Sequence, residues 1–183
     1  MIEIYLMLLE KLNQSYSYSS LQINYPLSFS DEVIKWSKNN IEKQTLYLEE
    51  NDDSFGIEDE IHTTVLFGIT EKFPNATKLA LKNIKPFKIK LSYISKFYSG
   101  DYDVLKINII SKELENLHYL LEDSVENENE YPVYQQHLTL AYVLKNTNNH
   151  LIGINQFSNR EFLVNSLFFS SNSRLDYKLR LNK

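Results

Sequence analysis

The sequence predicts an α+β fold with antiparallel sheets, on three observations. Apolar and polar residues alternate in short runs along most of the chain, as half-buried strands require. Ser99-Gly100-Asp101 separates two such runs and reads as a hairpin turn. Few segments carry a helical period, so strands outnumber helices.

The elements follow in order. Residues 2–13 read as a short amphipathic helix. Leu21 to Leu27 reads as a strand with Leu21, Ile23 and Tyr25 on one face. Ser30, Asp31 and Glu32 place a hydroxyl cap and two acids at the positive end of a helix running to about Lys43. Thr45 to Leu48 reads as a short strand, and the acidic residues 50–59, with Gly56, as a loop. A strand is expected over 61–69 and a helix from Asn75 to Asn83. From Pro86 to Phe97, the residues Phe87, Ile89, Leu91 and Tyr93 alternate with Lys88, Lys90 and Ser92, and Tyr102 to Ile110 is the hairpin partner. Ser111 to Ser124 reads as a helix with Leu114, Leu117, Leu120 and Leu121 on one side. An acidic loop over 126–130, a strand over 136–144, a polar loop over 146–156 and strands over 161–170 and 174–182 complete the chain.

The 183 residues suit one domain, or two small lobes sharing a core. With no Cys, disulfides, thiol nucleophiles and Cys-based zinc sites are excluded. A net charge of −5 does not suit a long nucleic acid, while 13 Tyr and 10 Phe supply rings for a core and for stacking on bases. The N-terminal IYLMLL lacks a basic flank and a cleavage site, and no run approaches the ~20 apolar residues of a membrane span. A cytoplasmic setting without membrane partners is expected.

EIHTTVLFG (60–68) and QHLTLAYV (136–143) both place His-x-Thr in an apolar strand. Period two puts His62, Thr64 and Leu66 on one face, with Thr63, Val65 and Phe67 opposite. It likewise groups His137, Thr139 and Ala141, with Leu138, Leu140 and Tyr142 opposite, and small Ala141 leaves room in a groove. Two imidazoles suit a phosphodiester: one takes a proton from the attacking oxygen, and the other gives one to the leaving oxygen. Each Thr hydroxyl can hold a phosphoryl oxygen. Which ring is base stays open, as does the choice between water and a ribose 2′-hydroxyl as nucleophile. A single strand His is more often a satisfied core residue. Two of four His with Thr at the second position beyond is roughly a one-in-a-hundred arrangement by composition. A two-His metal site lacks a carboxylate on the same strands, so no metal and no cofactor are expected.

These two strands, with His62 and His137 separated by 75 residues, resemble the 2H phosphoesterase superfamily. The resemblance implies a single bilobal, pseudo-symmetric domain over residues 1–183, with antiparallel sheets lining a central groove and helices outside. The lobes would be roughly the two halves of the chain, each giving one His-x-Thr strand. It implies metal-independent hydrolysis of nucleotide phosphodiesters, with His62 and His137 as the acid-base pair and Thr64 and Thr139 on the phosphate. FGIEDEIHTTVLFGI, YDVLKINI and YPVYQQHLTLAYVLK further resemble the phage anti-CBASS phosphodiesterases, which destroy cyclic oligonucleotide messengers of a bacterial defence. The matching pieces are Gly56-Ile57-Glu58, Asp103-Val104-Leu105-Lys106, Tyr131-Pro132 with Tyr134, and Ala141-Tyr142 with Lys145. Ile61 and Gln136 stand where Pro is usual, and Phe67 where Tyr is.

The expected partner is a cyclic di- or trinucleotide. An RNA-processing enzyme of the same type and a non-catalytic nucleotide sponge are the rivals, and the oligomeric state is open. Lys106 and Lys145 are candidate phosphate cations or plain surface lysines. Tyr131, Tyr134 and Tyr142 are candidate substrate contacts; the loop rings Tyr131 and Tyr134 either stack a base or plug the loop. Glu58 either orients a ring or is a loop acid. Trp36 reads as packed, and His118 and His150 as structural or solvated.

Overall fold

The structure is a computed structural model describing residues 18–50, 52, 54–129, 131, 133–172 and 175–182; the helix expected over 2–13 lies outside them. Strand β1 (Ser19–Asn24) buries Leu21 and Ile23. Pro26, with φ −56° and no N–H to give a ladder, ends it and heads helix α1 (Leu27–Asn40). Ser30, Asp31 and Glu32 therefore lie inside the helix instead of capping it, and the helix stops short of Lys43. Glu32 is instead held by Arg160 through two 2.6 Å hydrogen bonds. The short strand expected over Thr45 to Leu48 is a 3-10 turn (Lys43–Thr45) followed by one bridge from Leu46 to Val143.

The remaining elements are β2 (His62–Ile69), α2 (Asn75–Ala80) running into a 3-10 turn (Leu81–Asn83), β3 (Phe87–Tyr98), β4 (Tyr102–Ile110), α3 (Lys112–Ser124), β5 (His137–Leu144), β6 (Glu161–Val164), β7 (Ser166–Ser170) and β8 (Asp176–Arg180). They make two antiparallel four-stranded sheets, in the orders β2-β1-β7-β8 and β5-β4-β3-β6. The α+β class is as expected, but the sheets are not the two halves of the chain. The first takes strands from both ends and the second takes the middle. The single strand expected over 161–170 is divided at Asn165. Val164 and Leu167 are both buried but three residues apart, a spacing that one period-two strand cannot serve. Each therefore belongs to a different sheet.

Other expected faces shift for the same reason. Pairing slips between Leu91 and Ile94, so Tyr93 is 49% exposed and Ile94 is buried in its place. The new phase turns Lys96 inward, onto the buried Asp103 carboxylate at 3.2 Å, Asn149 and the Thr147 carbonyl. Helix α3 is capped by Ser111, whose Oγ accepts from the Leu114 N–H. Its buried stripe is Leu114, Leu117, His118 and Leu121, the helical spacing that Leu120 misses. Among the described residues no helix is long and apolar enough to cross a membrane.

The acidic stretch after α3 is more than a solvated loop. Its backbone continues the edge of β2, with the Glu128 N–H donating to the Gly68 carbonyl at 2.9 Å and the Thr70 N–H to the Glu126 carbonyl at 3.1 Å. Gly68 has φ +78°, and a Cβ there would lie 2.8 Å from the Glu128 carbonyl carbon. Gly68→Ala is thus expected to destabilise the fold by about 1–3 kcal/mol, combining left-handed strain with a backbone clash. A lowered urea midpoint at unchanged slope would register it; an unchanged midpoint would refute the close approach.

Candidate active site

Strands β2 and β5 are terminal in their sheets and pack against each other, which brings the two His-x-Thr motifs to one seam. Each carries a bulge directly after its Thr. Gln22 pairs Thr64 and Leu21 pairs Leu66, leaving Val65 without a partner. Lys106 pairs Thr139 and Leu105 pairs Ala141, leaving Leu140 without one. An extra residue reverses the alternation beyond it. His62, Thr64, His137 and Thr139 are half-buried. Beyond the bulges the expected faces invert: Leu66 is buried and Phe67 is 46% exposed. Ala141 is wholly buried, so it leaves no room in a groove, and half-buried Tyr142 takes the outward position.

A bulge strips carbonyls of their ladder partners, and buried ones must be satisfied otherwise. The Tyr134 hydroxyl donates to the Thr64 carbonyl at 2.8 Å, and His118 Nδ1 donates to the Val65 carbonyl at 2.7 Å. Their rings stack at 3.9 Å and 7°. In β5 the Glu58 N–H donates to the Leu140 carbonyl at 3.0 Å. Tyr134 is therefore a strut for β2, its hydroxyl and one ring face already engaged, which of its two expected roles is nearer the loop plug than the base contact. His118 is structural, at a core position of α3. Tyr134→Phe removes the Thr64 carbonyl's donor and should lower stability by about 1 kcal/mol, the usual worth of one hydrogen bond. Urea unfolding should show a lower midpoint at unchanged slope, and an unmoved midpoint would refute the strut.

The two catalytic candidates are held alike. Nδ1 of His62 lies 2.5 Å from the Glu60 carbonyl, and Nδ1 of His137 lies 2.6 Å from the Gln135 carbonyl. A carbonyl only accepts, so Nδ1 carries the proton in both rings and Nε2 is left for chemistry. Thr63, next to Thr64, points the other way and bonds the buried Tyr25 hydroxyl at 2.9 Å.

Their surroundings differ. His137 meets the Phe97 ring edge-on at 4.8 Å, and burial pushes its pKa down to about 4. The Gln135 carbonyl opposes that shift, while the charges of Lys106 and His62 add to it. Lys106 is 4% exposed, with Nζ 4.2 Å over the Phe97 ring and 2.5 Å from Asn108 Oδ1. Burial lowers its pKa to about 8. Ser95 Oγ also donates to Asn108 Oδ1, at 2.8 Å. On the other side Glu58 feels the charge of His62, which partly offsets the upward push of burial on its carboxyl.

Tyr142 belongs to an aromatic cluster, its ring 5.2 Å from Phe55 and 5.5 Å from Tyr102, with Tyr47 4.9 Å from Tyr102. Tyr131 is exposed and lies near Tyr102 and Tyr142. Lys145 is placed elsewhere: it lies past the far end of β5 and its Nζ bonds the Gly100 carbonyl at 2.7 Å, closing the β3–β4 turn. Of its two expected readings, phosphate cation or plain surface lysine, this placement suits the second. Trp36 packs edge-on against Phe157. Phe97, Ser95 and Asn108 were not foreseen. Asn108 had a signal, since it lies two residues from Lys106 on the same strand face; Phe97 and Ser95 had none.

No protein-family model matches the chain, and no curated protein does. Solved structures do. A phosphoesterase crystal structure superposes with TM-score 0.62 at 17% identity, over 91% of this chain and 95% of that one. Apo LigT of E. coli gives 0.60 at 15% identity, over 92% and 96%. Usb1 of Kluyveromyces marxianus, solved with uridine monophosphate, gives 0.52 at 13% identity, over 91% and 99%. The chain has the LigT-like 2H phosphoesterase fold.

Proposed function

We propose that the protein is a metal-independent phosphodiesterase that hydrolyses cyclic di- or trinucleotide messengers of a bacterial anti-phage defence. The observation that carries the catalytic part is the matched pair of imidazoles at one seam, each pinned through Nδ1 to a backbone carbonyl. His137, kept neutral by burial, is the general base: its Nε2 takes the proton of the attacking oxygen as that oxygen bonds to phosphorus. His62 Nε2–H gives its proton to the departing oxygen as the P–O bond breaks. Thr64 and Thr139 donate to the non-bridging oxygens, and Lys106, beside Thr139 in the ladder, offsets their growing charge. Phe67 and Tyr142, turned outward by the bulges, occupy matching positions of the two strands, five residues beyond each His.

The cyclic substrate rests on the sequence resemblance around Glu58, Asp103 to Lys106 and Tyr131 to Tyr142, and on the acidic net charge, which suits a small nucleotide over a long polymer. The Tyr47, Phe55, Tyr102 and Tyr142 rings offer planar surfaces of the kind that stack bases. A second reading, hydrolysis at RNA ends or 2′,5′-linkages, is favoured by the uridine monophosphate held by the Usb1 neighbour. Chromatography after incubation in EDTA with cyclic dinucleotides, a cyclic trinucleotide, 2′,5′-oligoadenylate and a 2′,3′-cyclic mononucleotide decides between them. Cleavage of cyclic oligonucleotides is expected. Cleavage of the linear or 2′,3′-cyclic species alone would move the protein to the second reading, and binding without turnover would make it a sponge.

A further inference from the structure

The face of the first sheet that carries Thr64 continues beyond the seam as one cross-strand row. Thr64 pairs with Gln22, Gln22 with Phe168 and Phe168 with Lys178. The row crosses β2, β1, β7 and β8 in turn, from the seam to the opposite edge. Thr64, Gln22 and Phe168 are half-buried and Lys178 is exposed, while their neighbours Thr63, Ile23, Leu167 and Leu179 are buried on the other face. Lys178 is turned back along the row, with Nζ 5.5 Å over the Phe168 ring. Arg180 is two residues on along the same strand face and is also exposed. Among the described residues neither cation pairs with a carboxylate; Asp176, on the same face, sits beside Ser170 on the other side of Lys178.

The two sheets place their cations differently. In the second sheet Lys106 pairs with Thr139 directly and is buried. In the first, an amide and an aromatic ring separate Thr64 from the ammonium. At about 4.8 Å between strands, Phe168 and the ammonium above it lie roughly 10 Å from Thr64. A nucleoside fills that gap, with its base on the ring and its own further phosphate on the cations. An edge-strand lysine can serve only to deter strand pairing, but that service needs no ring beneath it.

We infer that Phe168, Lys178 and Arg180 form a subsite for a second nucleotide of the substrate: the ring stacks its base, and the two cations hold a phosphate other than the one at the His pair. The inference rests on the seam being a phosphodiester site, as proposed above. It makes a compound with two phosphates a better ligand than one with the scissile phosphate alone, whether cyclic or linear.

Isothermal titration tests it with ApA, ApAp, pApA and cyclic di-AMP, on H62A/H137A and on the same variant carrying K178M/R180M or F168L, each checked for folding by circular dichroism. Cyclic di-AMP and one of ApAp and pApA, which carry their extra phosphate at opposite ends, should bind H62A/H137A about tenfold or more tighter than ApA. That advantage should shrink with salt and fall to within about twofold of ApA when K178M/R180M is added. F168L should weaken all four compounds about fivefold or more.

An advantage that survives K178M/R180M would overturn the inference, and so would equal gains for ApAp and pApA, which would show only a general attraction to added charge. Affinities within about twofold in F168L would overturn the part given to the ring. The same comparison is read from KM in wild type and K178M/R180M if H62A/H137A binds none of the compounds. Because binding is read without the His pair, the two readings fail separately. Hydrolysis by wild type with no two-phosphate advantage would overturn the subsite alone. An advantage abolished by K178M/R180M, with no hydrolysis by wild type, would support the subsite and overturn the hydrolytic reading. Neither binding nor turnover of any of the four would overturn both.

Discussion

His62→Ala and His137→Ala should each lower kcat on a phosphodiester by about 10²–10⁴, with little change in the far-ultraviolet circular dichroism. Both rings are tethered to backbone carbonyls only two residues before them, so removing either one disturbs its own strand entry and little else. The double variant should be scarcely worse than either single one, because proton removal and proton delivery belong to one displacement. Turnover within threefold of wild type in either variant would refute the acid-base pair. Full loss of nucleotide binding together with turnover would show instead that the rings serve chiefly to hold the phosphate.

Lys106→Met should cost about 10²–10³ in kcat, the usual worth of a preorganised group at developing charge. Lys106 is the cation that the ladder places opposite Thr139, and it is desolvated, so its field at the phosphate is poorly screened. The same substitution should move the acid limb of kcat/KM. With the base held near pKa 4, wild type should keep its activity well below neutrality and lose it as pH falls towards about 4. Removing the Lys106 charge takes away one cause of that depression, so the limb should move to higher pH in Lys106→Met. A limb that stays in place would separate Lys106 from His137 and leave it a packing residue over Phe97.

Stability carries the same sign. The pKa of His137 is lower folded than unfolded, so between about 6.5 and 4 the unfolded chain binds the extra proton. The contribution of this group is fully present above that window and is lost as pH falls through it. His137→Gln should flatten the acid side of the denaturation curve.

The paired His-x-Thr faces were legible in the sequence because they are written in local spacing. His62 with Thr64, and His137 with Thr139, share faces two residues apart, too short a reach for a later irregularity to disturb. The hairpin from β3 to β4 and the core stripe of α3 at Leu114, Leu117 and Leu121 were legible on the same grounds. What lay beyond Val65, Leu140 or Leu91 was not. A bulge is decided by the partner strand, and one unpaired residue moves every later side chain to the opposite face. That is why Leu66 and Ala141 went into the core, Phe67 and Tyr142 came out, and Lys96 rather than Tyr93 turned inward.

The sequence by itself determined the two His-x-Thr pairs, the α+β class and the shared face of each pair, all set by periodicity within single strands. Only the tertiary structure decided that Asn165 divides one apolar run between two sheets, that Tyr134 and His118 hold β2, that Lys145 closes a distant turn, and that His137 rather than His62 is the ring beside Lys106 and Phe97. Those facts depend on which strands neighbour each other and on what becomes buried between them, and strand order and desolvation come into being only when the chain folds.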